Sequence, residues 1–319
     1  MALHVVVGKG AVGTTIARLL AQQGHQVRVV SRSGGPSPTV GSAGGEGIEH
    51  IRADAADTAA LTGHARGAVA IYNCVNPPYH RWPTEWPPMA TAMLDAAEAT
   101  GAVLVITGNL YGYGPVSRPM TEDMPLAATG TKGQVRARMW TEALERYQAG
   151  RVRVTEARSS DYFGPLVTDQ GQLGQRIMPK LLRGRSVSVI GDPDAPHSWT
   201  YIPDVAAAMA TLATDERAWG RPWHVPSAVG LSQRQMITAL AEAAATGPIK
   251  VSAVPAAVLS AAGLVVPLMR ELREVRYQFD RPFLLDSSAY ESTFGGRATP
   301  LAEAVAATVA WWRERLAAV

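Results

Sequence analysis

LHVVVGKGAVGTTIARLLAQQGHQVRVV, residues 3–30, is the stretch on which the fold turns. LHVVV (3–7) is a short apolar run ending at glycines, as a strand buried on both faces should be. Gly8-Lys9-Gly10-Ala11-Val12-Gly13 then spells G-x-G-x-x-G, and helical spacing takes over at Ile16, Leu19 and Leu20 until Gly24. VRVV (27–30) reads as a second strand. Strand, glycine turn, helix and strand in this order form a dinucleotide-binding arrangement. Glycine permits the tight turn and the close approach of a pyrophosphate, whose charge the helix amino terminus favours.

Outward from that stretch the alternation continues. AVAIYN (68–73), VLVIT (103–107) and VRVTE (152–156) are strand-like, and helical stretches at 86–100 and 134–149 separate them. This order predicts an α/β fold, a Rossmann doubly wound parallel sheet covered on both faces, with ligands at the carboxyl ends of its strands. The end of the second strand should select the cofactor. An acidic residue there would bind the ribose hydroxyls of NAD, whereas this chain has Ser31-Arg32-Ser33. Arginine and serine hydroxyls suit a 2′-phosphate, and Lys9 adds charge, so NADP is expected ahead of NAD.

The totals exclude several classes. The 319 residues, 47% hydrophobic and 18% charged, suffice for one nucleotide-binding domain with a smaller partner. The net charge is +3, with Arg and Lys scattered, which gives a nucleic-acid role little support. A lone Cys74 leaves no internal disulfide and suits a reducing cytoplasm. MALHVVVGKG lacks a basic n-region, so no signal peptide is expected. The apolar stretch 251–269 is broken by Pro255, Gly263 and Pro267, and reads as a lid or dimer surface rather than a membrane span. No His/Cys cluster has metal-ligand spacing, and no G-x-S-x-G elbow is present.

Several later stretches together resemble the extended short-chain dehydrogenase/reductase superfamily, also called the NAD-dependent epimerase/dehydratase family. Asp54 in IRADAAD is similar to the family's adenine-contacting acid after the third strand. VLVITGNLYGYGP (103–115) resembles its fifth strand, with Thr107 as the Ser/Thr and Tyr111-Gly112 following. RSSDYFGP (158–165) resembles the loop beside the nicotinamide, and WTYIPDVAAAM (199–209) the segment opening a later helix. The resemblance implies cofactor contacts from Asn73, Cys74, Val75, Thr107, Ser159 and Ser160 besides the glycine turn, Ser31, Arg32 and Asp54. It also implies an NADP-binding Rossmann domain over 1–165 and a mainly substrate-binding subdomain over 166–319, with 199–225 returning to the first.

The chain departs from the family where the family places a Tyr-x-x-x-Lys pair. Lys132-Gly133-Gln134-Val135-Arg136 stands there, with Lys132 in the tyrosine's place and Arg136 in the lysine's. Hydride transfer to a carbonyl leaves charge on its oxygen, so a donor must lie within hydrogen-bond reach. Three roles are open to Lys132. It binds the ribose hydroxyls or a substrate carboxylate; it is the acid, with Arg136 and burial favouring its neutral form and Thr107 as second hydrogen bond; or it is an ordinary solvated helix residue. Tyr111 could supply a displaced phenol or pack beneath its loop. Asn109, Tyr79, Trp82, Asp161, Tyr162, His197 and Trp199 are candidates on the substrate side, and the aromatics in NCVNPPYHRWPTEWPP (73–88) suit a partly apolar substrate.

Three functions follow as expectations: an NADP-dependent reductase of a small carbonyl or imine compound, a sugar-type epimerase or isomerase, and a non-enzymatic NADP-binding redox sensor. A small molecule is the expected partner, with a homodimer through the helices at 86–100 and 134–149 as one further reading.

Overall fold

Val5, Val6 and Val7 leave LHVVV no polar face, and the run lies inside a parallel sheet with a neighbour on each side. The computed structural model describes residues 1–37, 47–169, 171–255, 258, 271 and 273–318. Most of the glycine-rich stretch 34–47, and most of the apolar stretch at 251–269, lie outside the described residues.

The strands are β1 (Leu3–Val7), β2 (Gln26–Ser31), β3 (Ile48–Arg52), β4 (Ala68–Asn73), β5 (Val103–Asn109) and β6 (Val154–Ser159). With the short strand Pro222–His224 they make a seven-stranded sheet, ordered Pro222–His224, β6, β5, β4, β1, β2, β3. Every pairing is parallel. The strand order reverses between β1 and β4, and a crevice at that point is where such sheets hold ligands. The predicted Rossmann sheet is thus present.

Helices of the same unit include α1 (Ala11–Gln22), α2 (Thr58–Ala65), α3 (Trp82–Thr100) and α4 (Thr131–Gln148), with most of Ile202–Thr214. α3 begins four residues before the expected 86–100. Proline is tolerated in a first turn, which admits Pro83, and the interior Pro87 and Pro88 cost ladder bonds. Burial offsets that cost: Trp82, Trp86 and Ala90 pack with Val135 and Met139 of α4. α4 starts at Thr131, which sets Lys132 in its first turn. Arg146, which makes α4 look polar in sequence, is paired with Asp95 of α3 at 2.6 Å and with Glu142 at 3.1 Å.

The chain divides into two units. One comprises Met1–Gly112, Leu126–Ser159 and Val205–Val225; the other comprises Tyr113–Pro125, Ser160–Asp204 and Pro226–Val319. The second contains a three-stranded sheet ordered Ala228–Ser232, Pro196–Tyr201, Asp161–Phe163, and a parallel pair, Val187–Val189 with Val251–Ala253. Its core joins Phe163, Leu173, Trp199, Ile237, Val305 and Trp312. Ser232 starts the helix Gln233–Ala243 through a capping box with Gln235, as its sequence position suggests. Among the described residues of 169–184, helix forms only at Met178–Leu181. A β-carbon on Gly174 would lie 1.8 Å from the Thr168 carbonyl oxygen, so the chain makes a close turn there instead of a helix. Among the described residues no helix is long and apolar enough to cross a membrane.

His4 gives the sheet a pH dependence. It is buried on β1, with Nδ1 3.0 Å from the Tyr72 hydroxyl and its ring edge-on to His25. Burial, and then the neighbouring His25, lowers its pKa from 6.5 to about 4. The unfolded chain therefore binds a proton that the folded chain refuses between pH 6.5 and 4. Stability from this group is complete above pH 6.5 and is lost as pH falls towards 4. Urea denaturation at pH 7 and 4.5 should show His4→Gln losing about 2 kcal/mol less than wild type between the two. Equal losses would show that His4 is not the group responsible.

Candidate cofactor and reaction site

The glycine turn is built by close contact. Gly8 has φ +111°, and a β-carbon there would lie 2.6 Å from the Cys74 carbonyl oxygen. At Gly13 it would lie 2.0 Å from the Gly8 carbonyl oxygen. Nothing lies within 4 Å of the same position on Gly10. Two glycines thus press the turn and α1 against the end of β4, while the third leaves an open backbone face. α1 starts at Gly10 without a side-chain cap, and Ala11 and Val12 form its first turn. An open face beside uncapped N–H groups fits a dinucleotide pyrophosphate.

The end of β4 supports that turn. Cys74 N–H donates to Val7 O at 2.8 Å, with Val75 next along the chain. The Asn73 side chain is buried, and its Oδ1 has no hydrogen-bond partner among the described residues. Burial pushes the Cys74 thiol up to about 12, against a smaller opposing effect of the Thr107 hydroxyl. Cys74 is therefore a neutral packing group, not a nucleophile.

At the end of β2 the expected cations differ in their surroundings. Lys9 Nζ donates to the carbonyls of Gly34 at 2.6 Å and of Gly35 and Pro36 at 3.3 Å. An ammonium has three protons, so Lys9 holds the loop that follows Arg32 rather than presenting a bare charge. Ser31 Oγ is buried with no hydrogen-bond partner among the described residues. Arg32 is exposed and makes no hydrogen bond or ion pair among the described residues. Asp54, also exposed, accepts from Ala56 N–H at 2.9 Å through one carboxylate oxygen. Arg52 is a further cation here that the motif reading passed over. It ends β3, in register with Ser31, and its Cβ lies 3.2 Å from where a β-carbon on Gly34 would be.

Lys132 and Arg136 both lie buried, so neither is a solvated helix residue. Lys132 is 1% exposed, with Nζ 5.6 Å from the centre of the Tyr79 ring. Burial and the first turn of a helix both oppose a positive charge, and the π face of Tyr79 offsets part of that cost. The Arg136 guanidinium lies 4.8 Å from the Trp82 ring and 4.4 Å from that of Trp86. It donates to the Thr107 carbonyl at 3.1 Å, which fixes it to β5. Gly133 allows α4 to cross this close: a β-carbon there would lie 2.5 Å from the Tyr111 carbonyl oxygen.

The phenols complete this group. The hydroxyls of Tyr79 and Tyr111 are 2.8 Å apart, and Trp82 stacks on Tyr111 at 5.9 Å. Trp82 itself is fully buried and donates from Nε1 to Pro77 O, so it shapes Tyr111 from beneath rather than standing at a mouth. Asn109 Oδ1 accepts from Tyr111 N–H at 3.1 Å and fixes the turn after β5. The Thr107 hydroxyl faces Met209 Sδ at 3.4 Å and Cys74 Sγ at 3.7 Å. Ser159, at the end of β6, is buried and its Oγ has no hydrogen-bond partner among the described residues.

The remaining candidates lie in the second unit. His197 is 2% exposed and clamped between Phe279 and Phe283 at 5.3 and 5.5 Å. Its Nδ1 is 3.2 Å from Gln278 O and its Nε2 2.9 Å from Asp161 Oδ2. The Asp161 side chain is 19% exposed, so it is the member of the pair that reaches solvent. Ser160 Oγ lies 3.5 Å from His197 Nε2, and its N–H donates to Thr200 Oγ1. Tyr162 is half-buried. Trp199 has no exposed surface, and its indole donates to Leu231 O at 2.8 Å.

No curated protein matches the sequence. Solved structures do, at identities that show the fold alone. An epimerase from Methanothermobacter thermautotrophicus is 15% identical with a TM-score of 0.83, the match covering 99% of this chain and 94% of that one. UDP-glucuronic acid 4-epimerase from Bacillus cereus, in complex with NAD, is 14% identical with a TM-score of 0.78, covering 98% and 99%. UDP-glucose 4-epimerase from Thermotoga maritima, with UDP-glucose, is 15% identical with a TM-score of 0.77, covering 98% and 99%. The family model of the NAD dependent epimerase/dehydratase family matches residues 4–225. The chain, with its glycine turn and seven-stranded parallel sheet, belongs to that family.

Proposed function

We propose that this protein is a cytoplasmic NADP-dependent reductase of a small, partly apolar carbonyl or imine compound, its first unit binding the cofactor and its second the substrate. The observation that carries the reading is the buried Lys132 beside the Tyr79–Tyr111 phenol pair, after the strand that bears Thr107. Reduced NADP, when bound, supplies a hydride to the substrate carbon. The chain must then hold the substrate oxygen or nitrogen and deliver one proton to it. Tyr111 is the phenol for that proton, Thr107 gives a second hydrogen bond, and Lys132 supplies positive charge against the developing oxyanion. Arg136, wedged between two indoles, orients α4 and through it Lys132. The surrounding aromatic surface suits a ring or alkyl group better than a bare sugar.

An epimerase reading is favoured by the sugar-nucleotide epimerases among the structural neighbours. The two readings differ in cofactor balance. A reductase consumes one NADPH per product, whereas an epimerase returns its cofactor unchanged.

Nicotinamide fluorescence titrations with NADPH and NADH should show tighter binding of NADPH. Lys132→Met should weaken NADPH binding if Lys132 contacts the ribose, and leave it unchanged if the residue serves substrate or catalysis. Binding of neither nucleotide would sink the enzyme reading altogether.

With a panel of cyclic ketones and imines, NADPH oxidation should match product one to one. Tyr111→Phe should lower kcat by about 100-fold with little change in NADPH affinity. A kcat unchanged in Tyr111→Phe would remove the phenol from the mechanism, and product formed without net NADPH oxidation would transfer the chain to the epimerases.

A further inference from the structure

We propose that Arg52 is a second phosphate-binding residue, which with Arg32 grips the 2′-phosphate of NADP from the adjacent ends of β3 and β2. This rests on the NADP reading above and names the group that makes the selectivity. Sequence alone points to Arg32 and Lys9. The structure takes Lys9 out of direct contact, because its three protons go to the carbonyls of Gly34, Gly35 and Pro36. It also offers Arg52 in its stead, in register with Ser31 and packed at its Cβ against Gly34.

The electrostatics of this corner are one-sided. Arg32 and Arg52 are both exposed, and neither has a hydrogen bond or ion pair among the described residues. Glu49, on the same strand as Arg52, is engaged with Arg28 at 2.9 Å. The ammonium of Lys9 adds to the positive field and contributes, after burial, to lowering the pKa of His50 on β3. Arg32 and Arg52, unpaired among the described residues on adjacent strand ends beside a cation-anchored loop, fit a doubly charged phosphate. Planar guanidinium forks match phosphate oxygens two at a time, which a single lysine cannot do. Asp54, two residues after Arg52, is exposed and accepts from Ala56 N–H at 2.9 Å.

The test measures dissociation constants for NADPH and NADH in wild type, Arg32→Gln, Arg52→Gln and Arg52→Lys. Adenosine 2′,5′-bisphosphate and 5′-AMP serve as competitors that carry the phosphates without the nicotinamide. Arg52→Gln should weaken NADPH and adenosine 2′,5′-bisphosphate by about tenfold or more, and leave NADH and 5′-AMP within about twofold. Arg52→Lys should fall between, since it keeps the charge and loses the fork. Wild type that prefers NADPH while Arg52→Gln keeps the same NADPH-to-NADH ratio would overturn this assignment and leave the NADP reading standing. Equal weakening of both nucleotides would likewise overturn it, as a general loss of the adenosine pocket. Wild type that binds NADH as tightly as NADPH would overturn both.

Discussion

The contact between Gly13 and the Gly8 carbonyl constrains everything else in the first unit. With no room for a β-carbon, α1 rests directly on the turn, and Gly8 in turn rests on the backbone of Cys74. Three elements are locked together at the carboxyl ends of β1 and β4, where the strand order reverses. The amino terminus of α1 is thereby aimed across that edge of the sheet. Any larger residue would separate helix from strand, and with them the backbone N–H groups from the space they face.

A second constraint acts at α3 and α4. Two cations are buried beside three aromatic rings, an arrangement that costs solvation and is offset by ring faces and by the Thr107 carbonyl. Stability alone would be served as well by a leucine at either position. Keeping charge there makes sense for a site that must meet negative charge developing on a bound molecule. The phenol pair lies on the same aromatic floor, so phenol and cation come from different elements but share one support.

The sheet was legible because its strands are unbroken apolar runs separated by helical spacing. β3 was not legible in that way: IEHIR is half-exposed at an edge, with no apolar face to betray it, and only the resemblance around Asp54 marks it. That is also why Arg52 escaped notice. The start of α3 was hidden by prolines, since local propensity argues against a helix through Pro83, Pro87 and Pro88 while the burial of Trp82 and Trp86 overrides it. Lys132 and Arg136 were found by position, but their burial depends on aromatics brought from another part of the chain. Trp82 and Trp199 look like pocket residues in sequence because large aromatics often are; in the fold their indole N–H groups are satisfied by backbone carbonyls within the core.

The way Lys9 holds its loop has an evolutionary side. Its bonds go to main-chain carbonyls, so the anchor itself asks for no particular side chain at 34–36, although Gly34 and Gly35, at φ +59° and +65°, need glycine for their own conformation. The loop keeps its course while the residues on either side, at the ends of β2 and β3, are free to change charge. Loop course and local charge are thus carried by separate atoms, and a lineage could change the charge at this corner by altering a few exposed side chains while the backbone that presents them stays as it is.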